Sequence, residues 1–130
     1  MKYPRLLKKG DIIGICAPSS GVPGELLSKR LNNAILNIKA LGYNVVETVS
    51  VRGSDKCVSA DSAIRASEFM SLYENPDVAA IIPPWGGEFG MDMLPCPIVQ
   101  KTPHLKPIHL ISLPRGNRCE ITPTYPSVAG

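Results

Sequence analysis

Three short apolar runs, rich in β-branched residues, punctuate the first 94 positions of the chain: Ile12-Ile13-Gly14-Ile15-Cys16, Val45-Val46-Glu47-Thr48-Val49 and Val78-Ala79-Ala80-Ile81-Ile82. Each has strand length and stops at turn-forming residues, so all three are predicted strands. Between the first two, Leu27, Leu31, Ala34, Ile35, Ile38 and Leu41 recur every three or four positions. That spacing predicts a helix from about Gly24 to Leu41, with Gly42 placed to cap it in the left-handed conformation. Residues 51–60 are polar and read as a connection. Asp61 or Ser62 is then suited to cap a second helix that carries Ala66, Phe69, Met70 and Tyr73 on one face. Asn75-Pro76 ends it, because the residue before proline is pushed out of helical geometry. Strand, helix, strand, helix, strand in this order implies parallel strands joined by right-handed crossovers, an α/β fold. Ligands of such sheets bind beyond the carboxyl ends of the strands. Two loops occupy that edge, Ala17-Pro18-Ser19-Ser20-Gly21 and Pro83-Pro84-Trp85-Gly86-Gly87-Glu88-Phe89-Gly90.

The pattern changes after Leu94. Residues 95–130 hold seven of the 13 prolines, from Pro95 to Pro126. A proline about every five residues defeats helices and central strands alike. Only Ile108-His109-Leu110-Ile111-Ser112-Leu113 keeps the character of a strand. The expected organisation is an α/β domain over 1–94 followed by an irregular, proline-rich tail over 95–130.

The net charge of +3 also resides in that tail. Lys101, Lys106, Arg115 and Arg118 face Glu120 alone, whereas the preceding 94 residues balance. Four scattered cations are not the dense basic stripe of a nucleic-acid surface, so no nucleic-acid partner is expected. The apolar runs are far too short to span a bilayer, and charges interrupt the first eleven residues, so neither membrane insertion nor secretion is expected. Cys16, Cys57, Cys96 and Cys119 include no Cys-x-x-Cys pair, which removes the usual signature of a zinc or redox site. Free thiols in the cytoplasm are the expectation.

The richest chemistry lies after the third strand. Gly86 and Gly87 let the backbone approach a ligand and point amide N–H groups at negative charge. Trp85 offers an apolar wall with one donor, and Glu88 and Asp92 suit the first turn of a following helix. The competing reading is structural, with a tight turn at Gly86-Gly87, a gap filled by Trp85 and two capping carboxylates. Ser19 and Ser20 stand where phosphates are often cradled, yet no G-x-G-x-x-G or P-loop pattern accompanies them, and capping of loop amides is the simpler role. His104 and His109 lie in the tail without a nucleophile motif beside them, so they point to neither a dyad nor a metal site. No metal and no cofactor are expected.

Gly10-Asp11-Ile12-Ile13-Gly14-Ile15-Cys16-Ala17-Pro18-Ser19-Ser20 resembles the opening of the LD-carboxypeptidase and microcin-C-immunity family of serine peptidases. The resemblance continues in order and spacing through Ala40-Leu41-Gly42-Tyr43-Asn44-Val45, Tyr73-Glu74-Asn75-Pro76-Asp77-Val78, Ala79-Ala80-Ile81-Ile82 and Trp85-Gly86-Gly87, covering about residues 8–94. It implies a three-layer, flavodoxin-like N-terminal domain, incomplete here, and a separate C-terminal domain. It also implies a cytoplasmic, metal-independent Ser-His-Glu hydrolase. Such an enzyme cleaves the amide next to a terminal carboxylate in muropeptides or peptidyl-nucleotide antibiotics. In this family the Gly-Gly turn helps form the oxyanion hole, which places Gly86 and Gly87, flanked by Trp85 and Glu88, at the substrate.

The sequence departs from the family where the nucleophile belongs, in a Gly-Tyr/Phe-Ser-Asp turn after the next strand. Here His109-Leu110-Ile111-Ser112-Leu113-Pro114 stands in that place. Ser112 is at about the right distance, but the elbow that exposes a nucleophilic hydroxyl is missing. The resemblance puts the triad's Glu and His in the C-terminal domain. A slip of reading frame near Pro95 would explain the change in character, as would a short relative. The expectation is a chain inactive as a peptidase by itself. Two other readings stand beside it: a small module that holds an anionic ligand at Gly86-Gly87 without chemistry, and an interaction half completed by a second chain. Three strands also leave an open sheet edge, which favours self-association.

Overall fold

The computed structural model describes residues 3–85, 88–100 and 108–110, with the backbone alone at Glu88, Phe89, His109 and Leu110. Strands β1 (Ile12–Ile15), β2 (Asn44–Glu47), β3 (Val78–Ile82) and β4 (His109–Leu110) form one sheet in the order β2-β1-β3-β4, parallel throughout. Helix α1 (Glu25–Ala40) joins β1 to β2, and α2 (Ser62–Glu74) carries the chain from β2 across β1 to β3. A single-turn helix, α3 (Pro97–Gln100), precedes β4. The expected parallel α/β fold is the observed one, and the crossing of the chain from β2 to β3 makes β1 and β3 the point where the winding reverses.

Alternation along β1 distributes the core. Ile15 and Ala17 turn to one face, where Val22, Leu31 and Val51 bury them beneath α1. Cys16 turns to the other face and packs with Met70, Leu72 and Tyr73 of α2 and with Val78 and Ile81 of β3. A period of two along a strand with both faces covered gives a continuous apolar run, and this is why Ile12 to Cys16 shows no polar alternation. Helix α1 ends as its sequence predicts. Gly42 adopts φ +98°, its N–H donates to Lys39 O at 3.0 Å, and the N–H of Tyr43 donates to Ile38 O at 3.4 Å, a Schellman closure. Asp61 occupies the N-cap position of α2 but makes no side-chain capping bond.

Two segments depart from the sequence reading. Strand β2 stops at Glu47, and Val49–Arg52 form a 3-10 turn in place of further strand. Long-range contacts divert the chain there. The Glu68 carboxylate of α2 accepts from Ser50 N at 3.0 Å and from Ser50 Oγ, while Arg52 bonds Glu47 and Asn32. The turn leaves Val49 exposed and drives Val51 into the core, although residues 51–60 read as a polar connection. The second departure is α3, which forms inside the proline-rich tail. Pro97 takes its first position, where a missing N–H costs nothing and φ is already helical.

Asp11 anchors the entry to β1. Arg5 Nη2 and Nη1 donate to its two carboxylate oxygens at 2.7 Å each, and Lys8 N donates at 2.7 Å. The Arg5 hydrogen bonds, and then the Lys8 amide, hold its pKa down at about 2. A carboxylate depressed in the folded state stabilises above its ordinary range and loses that contribution as pH falls through the folded value. The stability difference between the wild type and Asp11→Asn is therefore expected to be full above about pH 4 and to vanish as pH falls through about 2, read from urea midpoints across pH.

Candidate functional site

The carboxyl ends of β1 and β3 lie side by side, Ile15 in register with Ile82, so the loops that leave them share one edge. From the second loop Trp85 reaches back to the first, where its Nε1 donates to Gly21 O at 3.1 Å. The loop after β1 is tied down almost carbonyl by carbonyl. Ala17 O accepts from Ser59 Oγ at 2.7 Å, Pro18 O from Arg65 Nη1 at 2.7 Å and Ser19 O from Ser59 N at 2.9 Å. Ser20 Oγ donates to Cys57 O at 3.0 Å, and Val22 N donates to Val51 O at 2.7 Å. A buried backbone must find partners for its polar groups, and here those partners come from the β2–α2 connection and from α2 itself. Ser19 is buried, and its Oγ is one of two buried side-chain oxygens without a hydrogen-bond partner among the described residues.

The structure thus places Trp85 at the expected edge, half exposed and anchored to the β1 loop. Gly86, Gly87 and Ser112 lie outside the described residues, as does His104. Glu88 opens a 3-10 turn over Glu88–Met93, and Asp92 in that turn faces Arg65, with Oδ2 at 3.8 Å from Nη2. His109 is in β4, whose pairing with β3 (Ala80 with His109, Ile81 with Leu110) continues the sheet in parallel.

Cys16 follows β1 directly, close to this edge, but burial pushes its thiol up to about 12, with the Glu68 charge adding to the effect. A thiol held protonated is no nucleophile. Among the described residues, no group of three or more His, Cys, Asp and Glu side chains is placed to hold a metal ion, and no helix is long and apolar enough to cross a membrane. On the α1 side of the edge lies an apolar groove of about 170 Å³, with Leu27, Leu31, Ala34 and Ile38 facing Ile82 and Trp85. Ala34, one of the apolar positions that recur along α1, lines this groove and is exposed, and only Leu31 of α1 is fully buried.

Arg65 and Ser59 are the residues that the sequence pattern concealed. Arg65 shares a helical stripe with Phe69 and Leu72, at intervals of four and three, and that shared stripe is the signal that marks it as inward-facing. Cys57 belongs to the same framework. Asp55 and Val58 exchange backbone hydrogen bonds across Lys56 and Cys57, which take φ +45° and +75°. Such a two-residue turn favours Asn-Gly, because both positions require positive φ. Cys57→Gly is expected to raise stability by about 0.5–1 kcal/mol in urea denaturation, since it removes left-handed strain while keeping the carbonyl that holds Ser20.

Comparison with known proteins places these features. The family profile described as LD-carboxypeptidase N-terminal domain matches residues 13–104. A protein of Vibrio cholerae designated a carboxypeptidase is 34% identical over 95 residues, which are 73% of this chain and 28% of that protein. Among solved structures, the microcin C7 self immunity protein MccF, seen in complex with glutamyl sulfamoyl guanosine, superposes with a TM-score of 0.63 at 27% identity. The match covers 72% of this chain and 27% of MccF. Muramoyltetrapeptide carboxypeptidase from Oxalobacter formigenes matches at 30% identity with a TM-score of 0.53, over 64% of this chain and 26% of that enzyme. The chain thus spans little more than a quarter of the relatives it matches.

Proposed function

Because the chain belongs to the LD-carboxypeptidase family of serine peptidases, we propose that it forms the substrate-facing edge of such a peptidase without its catalytic serine. The observation that carries this reading is the union of the loops after β1 and β3 by the Trp85–Gly21 hydrogen bond, at the point where the sheet's winding reverses. Ligands of doubly wound sheets lie at that point. In this reading Gly86 and Gly87 direct backbone amides at the carbonyl oxygen of the substrate amide, between Trp85 and Glu88. The substrate class is a peptide ending in a carboxylate, as in a muropeptide or a peptidyl nucleotide, and the site of action is the cytoplasm.

Hydrolysis needs a nucleophile on the turn after β4, next to those amides. In this sequence the residues after Leu110 are Ile111, Ser112, Leu113 and Pro114, without the glycine and aspartate of the family's turn. A hydroxyl without an elbow and a base is not activated. The purified chain is therefore expected to bind the tetrapeptide L-Ala-γ-D-Glu-diaminopimelate-D-Ala, quenching its single tryptophan, and to release no D-alanine. Release of D-alanine would refute the lack of turnover, and an unresponsive Trp85 would refute the substrate edge.

Self-association belongs to the same reading. The outer edge of β2 has no neighbouring strand among the described residues, and Val46, Leu26, Leu36 and Leu41 are exposed nearby or along α1. Open parallel edges and apolar flanks associate. Sedimentation velocity is expected to show dimers or larger species increasing with concentration; a monomer at all concentrations would count against it.

A further inference from the structure

Among the described residues Arg65 is the one charged residue that is buried, with 3% of its surface exposed. Its guanidinium reaches three segments at once. Nε donates to Ala60 O at 2.8 Å, at the entry to α2, and Nη1 donates to Pro18 O at 2.7 Å, in the loop after β1. Nη2 faces Asp92 in the turn after β3 at 3.8 Å. Arg65 also occupies a position on the apolar stripe of α2, where methionine or leucine would pack without the cost of desolvating a charge. A rigid planar fork has one property that those residues lack: it fixes several acceptors in a set geometry.

We propose that Arg65 is a positioning residue that couples the two sides of the substrate edge, setting the Pro18–Gly21 loop against Trp85 and Asp92. The route is continuous. Arg65 holds Pro18 O, the chain runs three residues to Gly21, and Gly21 O receives the Trp85 indole N–H. Asp92, seven positions beyond Trp85 in the sequence, faces Arg65 as well. The guanidinium thus stands between the loop after β1 and the turn that carries Asp92. This role in ligand binding rests on the reading of the edge as a peptide site, whereas the coupling of the loops does not.

Trp85 is the only tryptophan, so it reports the coupling directly. The test compares the full chain with Arg65→Lys, Arg65→Met, Asp92→Asn and, as a control, Leu72→Ala, which opens the core beneath α2 without touching either loop. Tryptophan emission and acrylamide quenching are recorded without ligand, under conditions where circular dichroism shows the helices intact. Arg65→Lys and Arg65→Met are expected to shift the emission to the red and to raise quenching. Asp92→Asn should move both in the same direction by less, and Leu72→Ala should leave both at the wild-type value despite its lower stability. Emission and quenching unchanged in Arg65→Lys, or moved as far in Leu72→Ala, would overturn the proposal. Should Arg65→Met fail to fold, Arg65→Lys decides. Titration with the tetrapeptide named above should then be roughly tenfold weaker in Arg65→Lys, as expected for loss of a charged hydrogen bond. A wild-type chain that ignores the tetrapeptide refutes the substrate reading, while the ligand-free spectra decide the coupling independently.

Discussion

Gly21→Ala is expected to destabilise the chain by about 3 kcal/mol and to separate Trp85 from the loop after β1. A β-carbon at this position would stand 2.0 Å from Gly53 O and 2.9 Å from Val51 O. Both obstacles are backbone atoms, which cannot swing aside as a side-chain terminus can. Relief requires the 3-10 turn at Val49–Arg52 or the loop itself to move, and both are pinned: Val22 N to Val51 O, Gly53 N to Ser50 O, and Ser50 to Glu68. The displaced Gly21 carbonyl would then lose the indole N–H. Urea denaturation followed by circular dichroism measures the stability, and Trp85 emission measures the site. A variant with wild-type midpoint and emission would show that these two backbones are not in contact.

Ile81→Ala is expected to cost about 3–4 kcal/mol, a large part of the ~5–15 kcal/mol available to a domain. Ile81 is wholly buried in β3, opposite Gly14 of β1 and Leu110 of β4, and packs with Cys16, Met70, Leu72, Tyr73 and Val78. Sheet neighbours on both sides hold its backbone in place, so the cavity left by the lost methyl groups cannot readily collapse. The Ala substitution should lower the urea midpoint without changing the slope of the transition. A loss below about 1 kcal/mol would mean that the α2 face repacks freely.

The strands and helices were legible because each is written locally. The run Val78–Ile82 between Asp77 and Pro83 is the observed strand, and Gly42 and Asn75 stop the helices where their backbone preferences require. The placing of the loops was legible too, since parallel winding alone sends Ser19 and Trp85 to one edge. What escaped is held by distant partners. Nothing in Thr48-Val49-Ser50 says that a carboxylate eighteen residues on will fold the chain out of the sheet at Ser50. The sequence gives no reason to single out Arg65, because its acceptors are main-chain carbonyls of Pro18 and Ala60, and carbonyls leave no mark in a sequence. The apolar repeat along α1 was enough to find the helix but not its burial, since the groove beside it leaves Ala34 exposed and Ile38 only half-buried.

The central place of β1 also sets a timetable for the chain as it is made. One side of β1 can be matched as soon as β2 is synthesised, but Ile13 and Ile15 must wait for Ala80 and Ile82 on the other side. At a synthesis rate of ~5–20 residues per second, that interval lasts seconds, far longer than local helix formation takes. Throughout it, β1 presents an unpaired edge, and Cys16 lacks the cover of α2 and β3. The nascent chain is therefore most vulnerable to chaperone capture and to oxidation of this thiol before β3 emerges. The thiol becomes inert once the sheet closes over it.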